Sequence, residues 1–125
     1  MLTKSLEDYL EAIKILTLDK KVTRVKEISE FLDVKGSSVV SALNILKDKG
    51  YIKQEKYGYI ELKEIGDKEA TKIFNKHRII MKFLVNVLKV SEDTAKNDAC
   101  KIEHIISEET LKKMVLLLSR KKIII

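Results

Sequence analysis

"KGSSVVSALNILKDKGYIKQEKYGYIELK", residues 35–63, changes its hydrophobic period half-way along, and that change decides the fold. In the first half Val39, Ala42, Leu43 and Leu46 recur at i, i+3, i+4 and i+7, the spacing of one face of an α-helix. Gly36 and two serines open this helix, and Gly50 stops it after a lysine-rich last turn. In the second half apolar residues alternate through Ile52, Tyr59 or Ile60, and Leu62 around a tight "KYG" turn, the pattern of a β-hairpin.

Upstream, "SLEDYLEAIKIL" (5–16) places Leu6, Leu10, Ile13 and Leu16 on one stripe, with Ser5 as the expected N-cap and Glu7 and Asp8 in the first turn. "RVKEISEFLDV" (24–34) repeats the pattern with Val25, Ile28 and Leu32, and Thr23 is its expected cap. Three helices followed by a hairpin define a winged helix-turn-helix, residues 1–64. Downstream, "IGDKEATKIFNKHRIIMKFLVNVL" (65–88) keeps Ala70, Ile73, Phe74, His77, Ile80, Leu84 and Val87 on one face. "VSEDTAKNDACKIEHIIS" (90–107) starts with Ser91 as cap and carries an Ala95, Ala99, Ile102 and Ile106 stripe. Ser107 then caps a last helix with Leu111, Met114, Val115 and Leu118. The expected fold is mainly α, a winged helix-turn-helix followed by an all-helical domain, residues 65–125.

Composition agrees with a helix-rich globular chain. Of the 125 residues 45% are hydrophobic and 35% charged, with no proline, which argues against disorder. No apolar run approaches the roughly 20 residues needed to cross a bilayer, and the first ten residues carry acids where a secretory signal would be apolar. A cytoplasmic protein without a membrane partner is expected. The net charge of +6 does not by itself mark a nucleic-acid face, because residues 1–64 hold 12 Lys/Arg against 11 Asp/Glu and residues 65–125 hold 13 against 8.

The case for DNA therefore rests on pattern. The second helix of a helix-turn-helix enters the major groove with its N-terminal residues, which should be small, polar or basic. Here those are Lys35, Ser37, Ser38 and Ser41, with Asn44 a turn further on; from the wing, Lys53, Lys56 and Tyr57 are expected to reach the flanking backbone. The same serines would also cap a helix and the same lysines solvate a surface, but the helix–helix–hairpin order favours DNA.

"NDACKIEH" (97–104) holds the single cysteine and one of two histidines. At i, i+3 and i+4 of a helix, Cys100, Glu103 and His104 share one face, about a quarter-turn from the apolar stripe. Thiolate, carboxylate and imidazole together suit a first-row divalent ion: Fe²⁺, Co²⁺, Ni²⁺, Zn²⁺ or, less readily with sulfur, Mn²⁺. Asp8, Glu11 and His77 are further donors, each with an ordinary alternative: a capping box with Ser5, a surface ion pair, a core histidine. A thiol sensing oxidation, a small-molecule-sensing regulator and a metal-dependent hydrolase using Glu103 as base are the rival readings, although nothing suggests a loop for a small organic substrate.

Taken together, "SLEDYLEAI", "SSVVSALNILKDKGYI", "NKHRII" and "NDACKIEH" resemble the diphtheria toxin repressor and manganese transport regulator family of metal-dependent repressors, along nearly the whole chain. The resemblance implies that the helical half is a dimerisation and metal-binding domain, and that a homodimer binds a palindromic operator in double-stranded DNA when loaded with Fe²⁺ or Mn²⁺. It assigns Asp8, Cys100, Glu103 and His104 to a principal metal site, with Glu11 and His77 as candidates for it or a neighbouring one. The ligand set is mixed. Cysteine at position 100 is the iron-branch choice, whereas Asp8 and Glu11 are manganese-branch residues. Met81 stands four residues after His77, where the iron branch's ancillary site has glutamate, so that site is expected to be missing or altered. The sequence ends after the sixth helix, and the SH3-like third domain of some iron-responsive relatives is not expected. An ion joining Asp8 to the helical-half ligands is expected to fix the angle between the domains.

Overall fold

The computed structural model describes residues 2–55 and 58–123, in two compact units, 1–71 and 72–125. The expected wing-tip contacts Lys56 and Tyr57, and the last two isoleucines, lie outside the described residues. The element order is α1 (Lys4–Leu16), α2 (Val25–Leu32), α3 (Gly36–Asp48), β1 (Ile52–Gln54), β2 (Ile60–Leu62), α4 (Glu64–Lys82), α5 (Glu92–Ile102) and α6 (Glu108–Arg120).

In the first unit α1, α2 and α3 bury one core, with Leu10, Ile13, Ile28, Val39, Leu43 and Leu46 almost fully enclosed. The hairpin closes it: β1 and β2 pair antiparallel with Ile52 opposite Leu62, and Ile52 and Ile60 both point inward. Two caps differ from expectation. Thr3, not Ser5, caps α1, its Oγ1 accepting from the Leu6 N–H at 3.2 Å. The helix begins two residues earlier than the apolar stripe suggests, which puts Ser5 inside it; Asp8 pairs instead with Lys4 Nζ at 3.0 Å. Thr23 is not a cap either. Its backbone forms a two-bond bridge with Ile60, adding a third edge to the sheet, and its side chain is fully buried.

The turn between α2 and α3 depends on one residue outside the ordinary backbone basins. Asp33 closes α2 in the left-handed region at φ 54°, and the Val34 N–H reaches back to the Ser29 carbonyl at 3.1 Å. At the far side of α3, Gly50 at φ 81° lets the Tyr51 N–H bond the Leu46 carbonyl at 3.0 Å. Gly66 has a different reason: a Cβ there would lie 1.9 Å from the Tyr51 carbonyl oxygen, so only glycine lets the start of α4 approach the strand so closely.

In the second unit Ile80, Leu84, Ala95 and Ala99 form the buried centre, with Ile102, Ile106, Leu111 and Met114 packed around it. The alanines bring α5 close, and Ser91 and Ser107 cap α5 and α6 as expected, accepting from the Thr94 and Thr110 N–H groups. After Lys82 the helix widens into a π-turn, Phe83–Val87, in which the Leu88 N–H reaches the Phe83 carbonyl at 3.3 Å. Among the described residues no helix is long and apolar enough to cross a membrane.

Candidate metal centre and nucleic-acid interface

His77 lies on α4, Cys100 in the last turn of α5, and Glu103 at the α5 C-cap, all within the second unit. Their ligand atoms lie within 4.8 Å of one another, and they are the only His/Cys/Asp/Glu group of three or more so gathered among the described residues. His77 Nδ1 is 2.8 Å from Glu103 Oε1 and 4.0 Å from Cys100 Sγ. Two donors on one ion cannot be farther apart than the sum of their bonds to it, about 4.4 Å for nitrogen and sulfur on zinc, and the His77–Cys100 pair meets that limit.

Glu103 makes the arrangement chemically pointed. It is 2% exposed, and its Oε2 is buried without a hydrogen-bond partner among the described residues. A buried carboxylate that satisfies only one oxygen is costly unless a cation compensates it. Imidazole, thiol and carboxylate form a mixed N, S, O set that suits a borderline first-row cation. The residues present therefore fit a single divalent ion, which would be held by His77, Cys100 and Glu103.

His104 does not join this group. The expectation that it shares a face with Cys100 assumes α-helical turning through residue 104, whereas α5 ends at Ile102 and the chain tightens: the His104 N–H bonds the carbonyl of Lys101, three residues back. His77, a secondary candidate on sequence, is the side chain that bonds the Glu103 carboxylate, Nδ1 to Oε1 at 2.8 Å. Asp8 and Glu11 stand on α1 in the first unit, where Asp8 holds its ion pair with Lys4 and Glu11 is half-buried.

The outward side of α3 carries the expected polar residues. Lys35, Ser37, Ser38, Ser41 and Asn44 are all exposed, and no side-chain cap occupies the α3 N-terminus. On the wing Lys53 is engaged by acids, with its Nζ 2.8 Å from Glu61 and 3.8 Å from Glu55. The Glu61 hydrogen bond raises the Lys53 ammonium pKa, and the same bond lowers that of the Glu61 carboxyl. Sequence reasoning missed Arg24, which donates to the Tyr59 hydroxyl at 2.6 Å and lies 4.4 Å from the ring centroid, tying the α2 entry to the wing. Its only sequence signal is an exposed cation before α2.

Comparison with known proteins bears on both halves. Residues 1–60 match the model of the iron dependent repressor N-terminal DNA binding domain, and residues 63–122 that of the iron dependent repressor metal binding and dimerisation domain. An HTH-type transcriptional regulator of Methanocaldococcus jannaschii is 36% identical over 97% of this chain and 98% of its own length. The HTH-type transcriptional regulator MntR of Bacillus subtilis is also 36% identical, over 86% of this chain and 75% of its own. Among solved structures, T. acidophilum IdeR superposes with a TM-score of 0.82 at 28% identity, covering 98% of this chain and 55% of that one. The manganese regulator SloR gives 0.81 at 28% identity, covering 94% and 55%. This chain thus spans about half the length of those two solved proteins. Matched in both halves and more than one-third identical to transcriptional regulators along most of its length, the chain belongs to the iron dependent repressor family, with a DNA-binding domain followed by a metal-binding and dimerisation domain.

Proposed function

We propose that this chain is a repressor whose homodimer binds a palindromic operator in response to Fe²⁺ or Mn²⁺, and that His77, Cys100 and Glu103 form the heart of its metal site. The observation that carries this reading is the buried Glu103 carboxylate, with one oxygen on His77 and the other without a hydrogen-bond partner among the described residues. The resemblance of the sequence adds Asp8, Glu11 and His104 as further donors, with 1–64 as the reading domain and 65–125 as the effector domain. The reading places the protein in the cytoplasm, with no enzymatic activity and no small organic substrate.

When bound, the ion would supply positive charge and directed coordination at a carboxylate that otherwise has one hydrogen bond. Without the ion Glu103 holds the His77 ring through Nδ1, and Cys100, one turn before it on α5, has its sulfur 4.0 Å from that same nitrogen; as a donor, Nδ1 would give up its hydrogen bond to Glu103. The two helices α4 and α5 are thereby tied at one point. Metal and DNA binding are coupled only if the ion prefers the DNA-competent arrangement over others. In a two-fold dimer that arrangement sets the spacing of two α3 helices to match half-sites about 34 Å apart, or a multiple.

An anaerobic Co²⁺ titration followed by optical absorption tests the site: a saturable near-ultraviolet thiolate-to-cobalt band is expected, and its loss in Cys100→Ser. Fluorescence anisotropy of selected duplex DNA with Fe²⁺, Mn²⁺ or chelator tests the function. Tight binding unchanged by complete metal removal would sink the reading, and metal-insensitive but peroxide-sensitive binding would point to Cys100 as a thiol sensor instead.

A further inference from the structure

The outward face of α3 is not wholly polar. Val39, Ala42, Leu43 and Leu46 are buried and define the inward direction; at about 100° per residue, Ser37, Val40, Ser41 and Asn44 fall within about 70° of the opposite one. Val40 is 46% exposed there, outside the buried core. A single exposed valine ordinarily calls for no explanation. This one sits one turn after Ser37 and one turn before Asn44, in the N-terminal half of the second helix of a helix-turn-helix, the part that meets base edges. Ile45 is similarly exposed but lies about 140° around the helix from Val40, on the other edge of the outward face. A β-branched side chain on a solvated helical surface also gains nothing from helix propensity.

The major groove offers one apolar feature to such a side chain, the C5-methyl group of thymine, and Asn is suited to the N6 and N7 edge of adenine. We infer that Val40 is a specificity-determining residue: its two methyl groups pack on thymine C5-methyl groups in the operator, beside an adenine read by Asn44. The inference rests on the DNA-binding function of residues 1–60 and adds a base preference to it.

The test starts with selection from a randomised duplex pool, using the full chain with Mn²⁺ and separately with chelator. Each thymine of the selected site is then replaced by uracil, which removes the C5-methyl and nothing else, and affinity is measured at one fixed salt concentration. The wild type is expected to lose about 3- to 10-fold at one or two thymines. Val40→Ala should bind the parent site with that same loss and be indifferent to uracil at those positions, while responding normally elsewhere. Val40→Thr, which keeps one methyl, should retain part of the sensitivity, and matching melting temperatures of the variants control for folding. A wild type indifferent to uracil everywhere, or a Val40→Ala variant with undiminished sensitivity, overturns the inference. No enriched sequence with or without metal overturns the DNA-binding reading itself, a separate result.

Discussion

Replacing Glu103 with glutamine separates two explanations of the buried cluster by size. If Glu103 and His77 are a structural ion pair, removing one partner of so enclosed a pair costs about 3–5 kcal/mol. For a chain of this length each kcal/mol moves the melting temperature by about 3–5 °C, so the chelated variant would melt about 9–25 °C lower. If the carboxylate is there to meet a cation, the outcome differs. The amide oxygen still accepts from His77, and a neutral NH₂ replaces the Oε2 that lacks a hydrogen-bond partner. An unsatisfied neutral group and a weakened hydrogen bond cost about 1–2 kcal/mol, partly offset by removing a buried charge. The chelated variant should then lose less than about 10 °C.

The metal-loaded measurement runs the other way. At a free metal concentration of one hundred times its dissociation constant, the wild type gains about 2.7 kcal/mol. Loss of an outer-shell partner typically weakens metal sites 10- to 100-fold, and loss of a direct donor should do at least as much. At the same metal concentration Glu103→Gln would keep only about 0.4–1.4 kcal/mol of that gain. Thermal melts followed by circular dichroism at 222 nm, in chelator and in graded Mn²⁺, give both numbers. An undiminished metal-induced shift in the variant refutes Glu103 as a donor, and a fall of more than about 10 °C in chelator refutes the reasoning from its bare oxygen.

Three other substitutions probe the frame that carries the sites. Asp33→Gly should stabilise the chain by about 0.5–1 kcal/mol, since glycine adopts the left-handed backbone at φ 54° without strain; denaturant unfolding with an unchanged slope would show it. Gly66→Ala should cost about 1–3 kcal/mol or more, because its Cβ would meet the Tyr51 carbonyl oxygen at 1.9 Å, and equal unfolding midpoints would contradict the close approach. On the wing, the Glu61 carboxyl should titrate below the ordinary carboxylate range by NMR and return to it in Lys53→Met. Its folded pKa is depressed, so the contribution of the pair is present above the unfolded value and fades as pH falls through the folded one; an unshifted titration in wild type would contradict the contact.

The sequence carries the fold wherever one local pattern suffices. The period change across residues 35–63 marks α3 and the hairpin, and Ser91 and Ser107 announce their helices because each stands alone before an acidic first turn. Thr3 and Ser5 are both hydroxyl residues before the same stripe, and only backbone geometry decides which oxygen reaches an N–H. Thr23 was harder still. Its role as a sheet bridge depends on Ile60, 37 positions later, and no local signal encodes a long-range pairing.

The candidate metal centre marks the same boundary more sharply. Helical periodicity places Cys100, Glu103 and His104 together only while the helix continues, and a helix C-terminus is where that continuity is least secure. The tightening after Ile102 keeps Glu103 bonded through its N–H to Ala99, yet shifts His104 onto Lys101, a difference of one residue in hydrogen-bond reach. His77 reads as only a secondary candidate for the opposite reason. On α4 it sits in register with Ile73 and Ile80, and a histidine on an apolar stripe reads as core until its neighbour is known. What distinguishes it is Glu103, 26 residues away: a carboxylate enclosed to 2% exposure fixes the ring, and the pair, with Cys100 beside it, turns an apolar helix face into a place suited to a cation. Metal selectivity should accordingly depend on position 100. The thiol is the one soft donor of the three, so Cys100→Glu is expected to shift the order of metal-induced stabilisation toward Mn²⁺ and away from Zn²⁺ and Co²⁺. An unchanged order in parallel thermal melts would place the sulfur outside the coordination sphere.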